Sequence, residues 1–234
     1  MSSIAENIAA VRDRIAAAAA RANRDPAGIK LLAVSKTVPA PLIREAYEAG
    51  QRIFGENYAQ ELRDKARELA DLDIEWHFIG HLQRNKAKYA VQPNAVIETL
   101  DSIELAEELV RQLKRRAVGS DIPLPCLMEV NIGDETSKSG VRPEEVSELA
   151  IRIAALSRLD LRGLMVIPPF DPDPEKSRPY FRKLRHTLEE LNKALSSIRP
   201  LADLSMGMSH DLEVAVEEGA TILRVGTAIF GDRT

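Results

Sequence analysis

The chain has 234 residues, 44% of them hydrophobic and 29% charged, with 32 basic against 36 acidic side chains and a net charge of −4. That length suits one α/β barrel or one open α/β domain and crowds two unrelated domains, while the composition excludes a disordered or fibrous chain. There is no positive excess to neutralise a nucleic-acid backbone, and the longest run free of Asp, Glu, Lys and Arg, Tyr89 to Ile97, falls far short of the roughly 20 apolar residues of a membrane span.

Ile4, Ile8, Val11, Ile15 and Ala18 recur every three or four residues, the stripe of an amphipathic helix, which Asp25, Pro26 and Gly28 end. The interleaved charges of this segment do not match a signal peptide, and Cys126, the single cysteine, has no internal disulfide partner, so a cytoplasmic location is expected. Eight short apolar runs follow, at 29–36, 52–57, 75–80, 95–100, 124–131, 161–167, 202–207 and 221–230. Segments of helical composition separate them, at 40–49, 58–70, 83–89, 102–117, 143–155, 176–197 and 211–218.

Such alternation predicts parallel strands joined by right-handed crossovers, because a parallel pair needs a connection long enough to hold a helix. Eight units in a single domain, residues 1–234, predict an α/β fold closed as a (β/α)8 TIM barrel, with an open doubly wound sheet as the alternative. The sequence stops soon after the eighth run, which leaves the N-terminal helix to fill the gap between strands eight and one. The segment 167–179 carries five of the thirteen prolines and reads as a stiff loop after strand six.

In a parallel α/β fold the chemistry lies at the carboxyl ends of the strands. The first run ends in Lys36, on the same face as Leu32 and Val34 by the two-residue period. A lysine amine against apolar walls loses proton affinity and becomes a nucleophile suited to an aldehyde, although position alone equally suits a plain polar strand end. SMGMSHD (205–211) and RVGTAIFG (224–231) supply Ser and Gly turns after strands seven and eight, where barrels hold phosphate on backbone N–H groups. Arg224 on strand eight, a neighbour of strand one in a closed barrel, can aim inward beside Lys36 or sit in a surface ion pair.

These stretches, with LLAVSKTVP (31–39), FGENYAQE (54–61), WHFIGHLQRNK (76–86), NIGDETSKSG (131–140) and GLMVIPP (163–169), resemble the pyridoxal phosphate homeostasis proteins, also called the proline synthase co-transcribed family. The resemblance implies a monomeric or weakly associating barrel like the N-terminal domain of alanine racemase, with pyridoxal 5′-phosphate as an internal aldimine on Lys36. It further implies Arg224 facing the pyridine nitrogen, Ser209 with the backbone of Gly226 and Thr227 on the phosphate, and Asn57 and Met165 near the ring. Asn57 also reads as a turn former, and Lys138 reads either as a second cofactor lysine or as a solvated loop residue. His210 stands where the family commonly has an acidic residue.

His77 and His81 invite a metal-site reading, but on a strand they stand about 13 Å apart and no third ligand is apparent, so no metal is expected. The implied function is reversible binding, buffering and delivery of the cofactor to apo-enzymes, without membrane or nucleic-acid partners. The alternative is an amino-acid racemase. That reaction needs a second acid–base group over the cofactor, and none of Tyr47, Tyr58, Tyr89 and Tyr180 lies in a motif that places it there.

Overall fold

The computed structural model describes residues 3–115, 122–133, 139–195 and 200–231. Eight parallel strands run β1 (Lys30–Val34), β2 (Ile53–Glu56), β3 (Glu75–Phe78), β4 (Val96–Leu100), β5 (Leu124–Glu129), β6 (Leu159–Met165), β7 (Asp203–Ser205) and β8 (Ile222–Val225). They pair in sequence order and close, with Leu32 opposite Arg224 and Ala33 opposite Val225 where β1 meets β8. The closed barrel is the expected one, and the open sheet is excluded.

The helices are α1 (Ile4–Arg21), α2 (Ala40–Glu48), α3 (Ala59–Glu68), α4 (Ala87–Val91), α5 (Ile103–Arg115), α6 (Val146–Ala154), α7 (Arg178–Ala194), α8 (Leu212–Glu217) and α9 (Thr227–Phe230). Two boundaries differ from the sequence reading in kind. The run 221–230 is not one strand, because the chain leaves the sheet at Val225 and forms the single turn α9. The proline-rich loop after β6 contains a short 3-10 turn at Pro174–Ser177, which Asp173 caps by accepting the Glu175 N–H at 3.0 Å.

Helix α1 opens with a reciprocal cap: Ser3 Oγ accepts the Glu6 N–H at 3.2 Å and Glu6 accepts the Ser3 N–H at 2.7 Å. Its buried face, Ile8, Val11, Ile15, Ala18 and Ala19, packs against α8, α9 and α2, so it fills the expected gap beside strands eight and one. Arg24 secures the join by donating to the carbonyls of Val216 and Ala220.

The apolar core forms two bodies. The larger lies between strands and helices, and the smaller, Leu32, Val34, Ile79, Val96, Leu127, Met165 and Ile222, fills part of the barrel interior. Among the described residues, no helix is long and apolar enough to cross a membrane.

Candidate functional site

Lys36 stands in the turn after β1, not at the end of the strand as the sequence reading had it. Ser35 still donates its N–H to Gly55 O at 2.9 Å, but Thr37 takes a φ of 61° and Pro39 follows, which ends the ladder. The Lys36 side chain is half-buried and makes no hydrogen bond or ion pair with another described residue.

The turn that carries it is held from outside the barrel. Lys65 on α3 donates to Ser35 O at 2.7 Å, Glu56 Oε1 at 2.9 Å and Glu61 Oε1 at 2.6 Å. Glu61 accepts the Thr37 N–H at 2.7 Å and Ser35 Oγ donates to Glu56 at 2.6 Å, so the backbone on both sides of Lys36 is tied to one buried charged cluster. Burial pushes the Glu56 carboxyl up, against the opposing pull of Lys65 and Ser35.

Arg224 is only 4% exposed, which disposes of the surface ion pair. Its Nη1 donates to Ser205 Oγ at 2.7 Å and its Nη2 to Val166 O at 2.8 Å. Met165, at the end of β6, is fully buried with Leu32, Val34 and Leu127, opposite Ser205 in register. Asn57 forms the bend after β2 without a left-handed φ, so the backbone reason for a turn-forming Asn does not hold.

The exits of β7 and β8 meet. The Ala228 N–H approaches Ser209 Oγ at 3.4 Å, and Arg224 donates its N–H to Gly207 O at 3.0 Å. Gly207 takes a φ of 92°, a conformation open to glycine, and Met208 donates its N–H to Asp211 Oδ1 at 2.6 Å. Helix α1 braces both exits: Arg14 donates to Ser209 O at 3.0 Å and pairs with Glu213 at 2.7 Å, while Asn7 donates to Ile229 O at 2.9 Å. The N–H groups of Ser209, Gly226 and Thr227 donate to no other described residue, and beside the Ser209 hydroxyl they suit an oxyanion.

His210 packs against Phe170 with ring centroids 5.1 Å apart, and its Nε2 lies 3.6 Å from Asp211 Oδ2. Lys138 lies outside the described residues. Its neighbour Ser139 meets His81 Nδ1 at 2.9 Å. His77 is buried in the barrel between Glu75 and Glu98. Among the described residues, no group of three His, Cys, Asp or Glu side chains is placed to hold a metal ion.

Sequence reasoning passed over Glu98, Ser205, Lys65 and Glu129. Glu98 and Glu129 had a legible signal, since each is an acidic residue inside an apolar strand run. Glu129, at the end of β5, is pushed up to about 7 by burial and by the Asp101 charge, against the pull of Arg224. Its ordinary value is 4.5, so the folded chain holds an extra proton between the two values. The stability this confers is complete below about pH 4.5 and is lost as pH rises through about 7. Glu129→Gln is therefore expected to exceed the wild type by about 2 kcal/mol near pH 8 and by little near pH 4.5, as measured by urea unfolding at both.

Residues 6–234 match the model of the alanine racemase N-terminal domain. The chain is 47% identical over 228 residues to the pyridoxal phosphate homeostasis protein of Aquifex aeolicus, covering 97% of each chain. The chain belongs to the pyridoxal phosphate homeostasis protein family. The Escherichia coli K12 member is 46% identical over 237 residues, covering 100% of this chain and 98% of that one. PipY of Synechococcus elongatus, a structure with PLP bound, is 38% identical with a TM-score of 0.84, covering 98% of this chain and all of PipY. Alanine racemase of Corynebacterium glutamicum shares the fold alone, at 14% identity and a TM-score of 0.70, over 98% of this chain and 61% of the racemase.

Proposed function

We propose that this protein binds pyridoxal 5′-phosphate reversibly at the mouth of the barrel, linked covalently through Lys36 Nζ, and buffers and delivers it to apo-enzymes in the cytoplasm as a monomer without efficient catalysis of its own. The observation that carries the reading is that the adjacent strands β1, β8 and β7 and the turns at their exits carry an amine without a partner among the described residues, a buried guanidinium and a cluster of undirected N–H groups.

Pyridoxal phosphate supplies an aldehyde that condenses reversibly with a primary amine, releasing one water. The chain's own residues account for the rest. Lys65 and Glu61 hold the turn that presents Lys36. Arg224, permanently charged, would face the ring nitrogen and keep it unprotonated, which would weaken the ring as an electron sink. Ser209 Oγ and the N–H groups of Ser209, Gly226 and Thr227 take the phosphate. Asn57 would flank the ring with Met165 packed nearby, and Lys138 is a candidate for passing the cofactor on.

Mixing the protein with pyridoxal phosphate is expected to give absorbance near about 420 nm, and borohydride is expected to fix the cofactor on the peptide containing Lys36. Delivery is tested by transfer to an apo-enzyme in the presence of a scavenger for free aldehyde. Racemisation of alanine at about 10 per second or faster would replace the carrier by an enzyme.

The bracing by α1 gives a further expectation. Arg14→Met removes the donor that holds Ser209 O from outside the site and weakens pyridoxal phosphate binding by about threefold, a surface-pair magnitude, as measured by equilibrium titration.

A further inference from the structure

The interior of a (β/α)8 barrel is ordinarily filled by branched apolar side chains. Here a line of polar groups crosses it. Glu75 Oε1 meets His77 Nε2 at 2.9 Å, His77 Nδ1 meets Glu98 Oε1 at 2.6 Å, Ser205 Oγ donates to Glu98 Oε2 at 2.5 Å, and Arg224 Nη1 donates to Ser205 Oγ. His77, Glu98 and Ser205 are at most 1% exposed. The line begins at the N-terminal end of β3, where Glu75 also pairs with Lys30, and ends at the guanidinium near the mouth.

Hydrogen-bond capacity sets each role. A guanidinium only donates, so Ser205 Oγ accepts from Arg224 and its single proton goes to Glu98, which must accept. Both ring nitrogens of His77 face carboxylate oxygens, an arrangement the imidazolium satisfies. Burial works against each charge, yet the two carboxylates together raise the His77 pKa, and His77, Arg224 and Ser205 together lower that of Glu98. The result is an alternating column, Glu75 negative, His77 positive, Glu98 negative, Arg224 positive.

Other charges bear on it from the neighbouring strands. Arg224 also feels Asp211 and Glu129, and Asp203 on β7, pushed up by burial, feels Lys30, Arg162, Glu98 and His77. A buried ionic chain carries a desolvation cost that apolar filling would avoid. Glu98 sits, moreover, where the register between β4 and β5 shifts, the kind of irregularity that re-aims a side chain.

We propose that Glu98 is the positioning residue for Arg224: through Ser205 it fixes the rotation of the guanidinium, and through His77 and Glu75 it links the charge state of the barrel floor to the group that faces the cofactor ring. This rests on the cofactor reading above. With one N–H of Nη1 tied to Ser205 and one of Nη2 tied to Val166, three of the five guanidinium N–H groups, the Nε–H among them, remain for a ring nitrogen.

The test compares wild type, Glu98→Gln, Ser205→Ala and Ser205→Thr. Each is titrated with pyridoxal phosphate from about pH 6 to about pH 9 by visible absorbance, and His77 is followed by nitrogen NMR in the cofactor-free protein. Glu98→Gln and Ser205→Ala are expected to bind about tenfold more weakly, with an altered pH profile of the absorbance, and Ser205→Thr, which keeps the hydroxyl, to recover the wild-type profile. His77 is expected to titrate above a free imidazole in wild type and lower in Glu98→Gln. If Glu98→Gln does not fold, the two Ser205 variants decide. Wild-type uptake with unchanged affinity and spectrum in the variants overturns the positioning role, whatever His77 does. Failure of the wild type to take up the cofactor is a distinct result, which removes the cofactor reading and this proposal together.

Discussion

Lys36→Ala is expected to abolish covalent retention of pyridoxal phosphate, with no band near about 420 nm, no borohydride-fixed peptide, and affinity reduced by about a hundredfold or more. Among the described residues Lys36 bonds to nothing, so its loss removes an amine without breaking a structural pair. The turn itself survives, because Lys65 and Glu61 grip the backbone of Ser35 and Thr37 rather than the Lys36 side chain. The variant should therefore unfold in urea within about 0.5 kcal/mol of wild type, as a substitution away from structural contacts does. Unchanged absorbance and affinity would refute the assignment of Lys36.

Gly80→Ala is expected to have a large effect on folding. A Cβ at Gly80 would lie 2.2 Å from Asn57 O and 2.8 Å from Asn57 C and Cα. The obstacle is backbone, not the end of a flexible side chain, so relief requires moving the β2 exit or the β3 exit. Neither moves freely: Thr99 Oγ1 donates to Gly80 O at 2.6 Å, and the Ile79 N–H donates to Glu56 O at 2.9 Å. Overpacking of this kind costs about 3 kcal/mol, which differential scanning calorimetry reads as a drop of several degrees in Tm. Because Asn57 shifts with it, cofactor binding should weaken as well. An alanine variant with wild-type stability would mean that the two exits are not rigidly packed.

How much of this was legible in the sequence differs from element to element. Each of the eight strands was present as a short apolar run, and α1 as an apolar stripe, because burial on one face or both imposes a period that composition reveals. The ends were less legible. Lys36 read as a strand residue because the two-residue period carried through it, whereas the positive φ of Thr37, which no sequence rule requires of threonine, ends the ladder. The run 221–230 read as one strand because its apolar residues are continuous, yet Gly226 lets the chain leave the sheet for α9.

Lys36, Ser209, Gly226 and Thr227 were recognisable because each lies in a short local motif at a strand exit. Glu98 was legible only as an acidic residue inside an apolar run, since its partners Ser205 and His77 are 107 and 21 residues away and no local motif joins them.

By itself the sequence determined the order and direction of the strands, the closure expected of eight crossover units, and the family, because period and motif are local and the connection rules are general. The tertiary structure alone decided which polar side chains meet inside the barrel, that Arg224 is buried against Ser205 and Val166, and that α1 grips the segments after β7 and β8. Those contacts depend on strand register and on the approach of chain segments remote in sequence, which only closure of the barrel sets.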